Sequence, residues 1–295
     1  MTAEPTYNKH LASLAAIFIL GDAVIILPSS DSGNYPLSGF FIGALAAILL
    51  YFVSFSITNR FIGKSLSMIL AAAYAFYNAA VTFIRYTDFV NKILLPKTSK
   101  FLIAAVFILS AVYLATRRHK VILKLALISV FAAMIAIVVF LLLTLKDFKA
   151  ENIAFYGFPS LRGLTNSAKP YFLNIALPAL LIPVYSPLFT DKSRAGAPFL
   201  GLITGLMLTL LCLLESLLLF GAPLAEKLPF PLAAAVSTVT VGSLFTRMDG
   251  IVYCLFFLPA LIKTAVCIKL AFFALSRGRC PHRPVIIPTN PDLSA

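Results

Sequence analysis

Tryptophan is absent from the 295 residues, and only 12% of them are charged. Soluble domains carry about 25% charged residues, so this scarcity excludes an ordinary soluble domain and points to an integral membrane protein. Acidic residues are the rarer sign, 11 Asp and Glu against 24 Lys and Arg. The net charge of +13 would argue for nucleic acid only if it were concentrated on one face. The basic residues instead sit between apolar runs, the pattern of membrane topology and anionic lipid. The bilayer is therefore an expected partner and nucleic acid is not. Cys212, Cys254, Cys267 and Cys280 lack metal-ligand spacing, and a thiol in an apolar run behaves as a small hydrophobe. Neither a metal nor a cofactor is expected. His10, His119 and His282 lie far apart, at loops or ends, and no HExxH, GxSxG or phosphate-binding glycine loop occurs. An enzyme is not the reading. No small-residue cleavage site follows the first apolar run, so it is a span rather than a signal peptide.

What is present is apolar: 60% of the residues are hydrophobic and the mean hydropathy is +0.96. Apolar runs predict about eight spans, at 10–29, 38–59, 66–90, 101–116, 121–145, 171–189, 199–221 and 248–275. A short Ala-, Ser- and Thr-rich piece, 229–245, reads as an interfacial or partly inserted helix. The fold class expected is an all-α polytopic membrane protein forming a single transmembrane domain, 1–295. Its parts are a first repeat of five spans (1–145), a linker loop (146–170), an incomplete second repeat of three spans (171–275) and a tail (276–295). Five spans, a long loop and a new start with a broken helix outline a five-plus-five inverted-repeat transporter. Basic residues such as Arg117, Arg118, Lys120 and Lys124 favour both termini on the cytoplasmic side.

The run 171–189 carries Pro178, Pro183 and Pro187. A proline inside a helix removes a hydrogen bond at about 3 kcal/mol or more, and a bilayer supplies no water to the freed groups. Its broken backbone must be buried in protein or face a wet cavity. About 12 residues at about 1.5 Å each place the break near the bilayer midplane, where transporters hold their ligands. In the first span Gly21 and Asp22 predict a corresponding break. There Asp22 either lines a cavity or pairs with a basic neighbour.

Half-helix ends offer N–H groups to a carboxylate and C=O groups to a cation, so a zwitterion such as an amino acid suits both. Tyr74, Tyr77 and Asn78 share an i, i+3, i+4 face that either lines a ligand cavity or bonds a neighbouring helix. Asn174, Pro183, Tyr185 and Ser186 at the sixth-span break complete the ligand-binding candidates. Arg85 and Asp88, three apart, suggest an interfacial ion pair. Glu215 and Lys263, inside the seventh and eighth spans, either couple a proton or cation to transport or form a structural ion pair.

The stretch 220–273 resembles the endospore germination permease family, the B subunits of nutrient germinant receptors. That family lies within the amino acid–polyamine–organocation transporter superfamily. Gly221 matches the glycine closing the seventh span, Pro229 to Pro231 a Phe-Pro-like step, and Arg247, Met248 and Asp249 the element opening the eighth. Gly21 and Pro28 of the first span are also similar. The resemblance implies a ten-helix inverted-repeat fold with its site among the first, third, sixth and eighth spans. It also implies sensing of small nutrient germinants, often amino acids, alongside A and C subunits, in the cell or spore inner membrane. The alternative function is a proton- or cation-coupled amino acid transporter. The sequence after Phe273 departs from the pattern, leaving the last two spans of the family fold unaccounted for.

Overall fold

The computed structural model describes residues 4–26, 35–61, 65–153, 161–189, 196–228, 230–238 and 249–279. Among these the regular elements are all helical. They are α1 (Glu4–Ile26), α2 (Pro36–Phe61), α3 (Ser65–Phe89), α4 (Lys100–Thr116) and α5 (His119–Thr144). After them come α6 (Leu161–Tyr171), α7 (Leu177–Ala179), α8 (Leu181–Phe189), α9 (Gly196–Lys227), α10 (Pro231–Thr238) and α11 (Asp249–Arg279). Within the described residues each of the eight expected apolar runs falls on helical elements, interrupted only at Leu180. Four stretches among the described residues are long and apolar enough to cross a bilayer: Pro36–Thr58, His119–Asp147, Leu161–Tyr185 and Gly196–Ala225. Large apolar side chains on the outer faces, such as Phe101, Leu109, Ile128 and Leu142, are exposed, as a membrane protein requires.

The centre is α1. Leu14 through Leu20 are all buried, and a helix that is apolar all round belongs inside. It packs along α9 and also against α11 and α5, while α3 packs along α11 and α2 along α6 to α8. Two glycine pairs at i, i+4 spacing set the closest crossings. A Cβ on Gly201 would lie 2.0 Å from the Ala12 carbonyl oxygen, and one on Gly205 2.8 Å from that of Ala16. Likewise a Cβ on Gly39 would lie 2.4 Å from the Ser167 carbonyl oxygen, and one on Gly43 2.6 Å from Tyr171 Cβ. Lipid cannot drive helices together by the hydrophobic effect, so close backbone approach across small residues does it.

The expected break in the first span does not occur: α1 runs uninterrupted through Gly21 and Asp22 to Ile26. A lone glycine costs a helix only about 1 kcal/mol, too little to stop an otherwise apolar run. Gly21 serves contact instead, since its Cβ would lie 3.3 Å from both Lys263 Cδ and the Pro259 carbonyl oxygen. The sixth span is irregular, as expected, but the irregularity lies earlier. A π-helical turn, Phe172–Ala176, follows α6, and Leu180 interrupts the path between α7 and α8. Pro183 falls in the first turn of α8, where a missing N–H costs little. The helix also begins at Leu161, ten residues before the apolar run, because α6 is polar and amphipathic.

Gly221 stops the main part of α9, with φ 71° and ψ 161°, a conformation open essentially to glycine. The carbonyls it frees are capped: Asn152 Nδ2 donates to Leu218 O at 2.9 Å, and Lys149 N donates to the same oxygen at 3.2 Å. Within 229–245, the described helix is α10, and its Leu232, Ala233, Ala235 and Val236 are buried in protein. Pro28, Pro229, Arg247, Met248 and the tail beyond Arg279 lie outside the described residues.

Candidate functional site

Several of the expected site residues come together where α1, α8 and α11 meet. Lys263 stands near the middle of α11 and is fully buried. Its stem crosses Gly21, and its Nζ lies 6.0 Å from the centre of the Phe18 ring. That is the outer limit of a cation–π contact. Phe18 also meets Tyr185 of α8, with ring centres 4.6 Å apart. Tyr185 is fully buried, as is Pro183. Gly21, Tyr185 and Lys263 of the expected set therefore gather around Phe18, which sequence reasoning passed over as one more apolar residue. Asp22 and Ser186 continue their helices, but their side chains lie outside the described residues.

A second group ties α3 to the irregular part of the sixth span. Arg85 donates from its guanidinium to Asn174 Oδ1, while Asn174 Nδ2 donates to the Pro170 carbonyl at 2.7 Å. Asn174 thus sits on the π turn with its amide engaged on both sides. One residue past α7, the Leu180 carbonyl accepts from Ser54 Oγ of α2 at 2.7 Å. The expected Arg85–Asp88 pair does not form: Asp88 joins Lys100 of α4 and Arg85 reaches across to Asn174. Spacing of i, i+3 brought the two within range, but each found a partner on another helix.

The Tyr74, Tyr77 and Asn78 face is divided. Asn78 is buried, Tyr74 half-buried and Tyr77 59% exposed. At about 100° per residue, Tyr77 and Asn78 lie on opposite flanks of Tyr74, and it is the Asn78 flank that turns inward. The Tyr74 and Tyr77 rings stack at 6.3 Å.

Glu215 lies apart from Lys263, and among the described residues no ion pair joins them. The Glu215 carboxyl is buried on α9, with Oε1 3.1 Å from Thr144 Oγ1 at the end of α5. Thr144 was invisible to sequence reasoning, being one hydroxyl at the end of a long apolar run.

Comparison with curated proteins finds no match. A family model described as spore germination protein, the spore permease family, matches residues 9–278. That span takes in α9 and α11, including the stretch whose likeness was noted from sequence, and each helix that lines the site. The chain belongs to the spore permease family of spore germination proteins.

Proposed function

We propose that the chain is the permease-like membrane subunit of a spore germinant receptor, and that it binds a small nutrient, such as an amino acid, where α1, α8 and α11 meet. The observation that carries this reading is Lys263, wholly buried in the middle of an apolar helix beside the irregular sixth span. A charged side chain at that depth costs about 2.5–3.5 kcal/mol on insertion scales, and such residues mark ligand or ion sites. Pro178 and Pro183 have no N–H to give the carbonyls four residues back, those of Asn174 and Ala179. A ligand with a carboxylate for Lys263 and an ammonium for carbonyl oxygens suits this neighbourhood.

The packing supports an inverted five-plus-five repeat carried on eight spans. Exchanging the first span with the sixth, and the second with the seventh, turns the α1–α9 crossing into the α6–α2 crossing. Both crossings use a glycine pair on the second-position helix. The third and eighth spans, α3 and α11, pack on each other and exchange into themselves. On this reading the chain is multi-pass in the cell or spore inner membrane, with both termini cytoplasmic and with A and C subunits as partners.

A second reading, a proton- or cation-coupled amino acid transporter, is favoured by the buried Glu215 carboxyl. Purified protein in proteoliposomes, offered a panel of labelled amino acids, tests both. Saturable binding without uptake, together with co-purification of the A and C subunits, supports the receptor subunit. Uptake against a gradient supports the transporter. Absence of binding in the presence of those subunits refutes both.

A further inference from the structure

We propose that Glu215 and Thr144 form a proton-binding site between α5 and α9, with Glu215 held as the neutral acid. Both side chains are 1% exposed. Thr144 Oγ1 has one hydrogen to give and three oxygens in reach: Phe140 O at 3.0 Å, Leu141 O at 3.2 Å and Glu215 Oε1 at 3.1 Å. If the hydroxyl serves its own helix, the hydrogen in the contact with Glu215 comes from the carboxyl. The acid then donates to Thr144 Oγ1, and Thr144 donates to the carbonyls of α5. The alternative, a carboxylate accepting from Thr144, leaves a full negative charge in a dry site. Oε2 finds no hydrogen-bond partner among the described residues, and no counter-charge lies within ion-pair distance there. A low dielectric makes that arrangement the costly one.

Among the described side chains the surroundings supply no substitute. On its own helix the nearest titratable group is Cys212, one turn away and buried. The α5 face brings Phe140 and Ile137; the titratable groups of α5, His119, Lys120 and Lys124, are at its far end, and Lys146 and Asp147 lie past its near end and are exposed. The segment after α5 brings Lys149 and Glu151, both exposed. The part of α1 that packs on α9 presents apolar Leu11 to Leu20, with Ser13 bonded to Lys9 O. Tyr51 of α2 packs on Phe199 at the opposite end of α9, and Tyr185 of α8 packs on Phe18. No acidic or basic residue occurs in α10. A metal cation would want about six oxygen ligands, and the carbonyls of Phe140 and Leu141 already serve the helix.

The site joins the end of α5 to α9 less than two turns before the Gly221 kink. Release breaks only the carboxyl O–H bond. The proton passes to water and one negative charge stays on Glu215, which must then either part the helix ends to admit water or recruit a cation. The proposal goes beyond nutrient binding and holds whether or not a ligand crosses the membrane.

Infrared spectroscopy of the whole protein in nanodiscs, without nutrient, tests it at neutral pH. The native protein should show a protonated carboxyl stretch that Glu215→Gln removes. In Thr144→Val the same band should persist and move to higher wavenumber, because its hydrogen bond is gone. Thr144→Val matches the native shape closely and keeps the test alive if Glu215→Gln does not fold. An unchanged protonated-carboxyl region in Glu215→Gln would overturn the proposal, as would an unmoved band in Thr144→Val. A band abolished by sodium at constant pH would replace the proton with a metal cation.

Discussion

Gly201→Ala is the sharpest perturbation of the packing. Alanine is the better helix former by about 1 kcal/mol, so helix propensity alone predicts stabilisation. The geometry predicts the reverse. The new Cβ would lie 2.0 Å from the Ala12 carbonyl oxygen, 2.7 Å from its carbon and 2.8 Å from its Cα. All three are backbone atoms, which cannot turn aside as a side chain can. To reach an ordinary contact, α1 and α9 must part by more than about 1 Å, and a gap of about 0.5–1 Å already forfeits a quarter to a half of each dispersion contact along the seam. Overpacking of this kind costs about 1–3 kcal/mol net. Gly196→Ala, on the same helix, is the control, because no atom lies within 4 Å of its Cβ. Thermal unfolding of purified protein in one detergent compares them. At roughly 2 °C per kcal/mol for a chain of this length, Gly201→Ala should melt about 2–6 °C low, with Gly196→Ala within a degree or so of native. Equal melting temperatures for the two variants would refute the close crossing.

Four further outcomes follow from the same contacts. Gly39→Ala should match Gly201→Ala in direction and size, since its Cβ meets the Ser167 carbonyl at 2.4 Å; a neutral result would undo the equivalence of the two crossings. Gly221→Ala should cost about 1–3 kcal/mol because alanine is strained at φ 71°, read by the same melting assay. Asn152→Ala removes one of the two donors to the Leu218 carbonyl and should cost about 1 kcal/mol, while Asn152→Asp, which loses the amide donor, should not restore it. Arg85→Lys keeps the charge but not the planar fork that reaches Asn174. It should therefore speed amide hydrogen exchange across Phe172–Ala176, and native protection in that variant would deny the tie.

Much of the fold was legible because apolar runs are the strongest signal a membrane helix gives. Within the described residues each expected run falls on helical elements, and Gly221 ends the seventh as its likeness to the family suggested. Other features were hidden for identifiable reasons. Glycine in a helix marks either a break or a close approach, and at Gly21 the second holds, which only the position of Lys263 reveals. Segment 161–170 reads as loop because its residues are polar, although α6 buries Ser167 and Tyr171 against α2. The pairs Gly39/Gly43 and Gly201/Gly205 were visible as GxxxG and are the signal that would have found both crossings. Of the site, Lys263 and Tyr185 stood out as polar groups in apolar runs. Phe18 and Thr144 did not, because a phenylalanine and a threonine in a span are ordinary until a partner is seen.

The role of Lys263 is tested most directly by equilibrium binding of labelled amino acids to native protein in nanodiscs, with Lys263→Met and Tyr77→Leu alongside. Lys263→Met keeps the length of the buried stem and removes the charge, whereas Tyr77 is 59% exposed, away from Phe18. Saturable binding that Lys263→Met abolishes and Tyr77→Leu leaves intact is the expected result. Native affinity in Lys263→Met, with the variant folded, would contradict the placement of the ligand where α1, α8 and α11 meet.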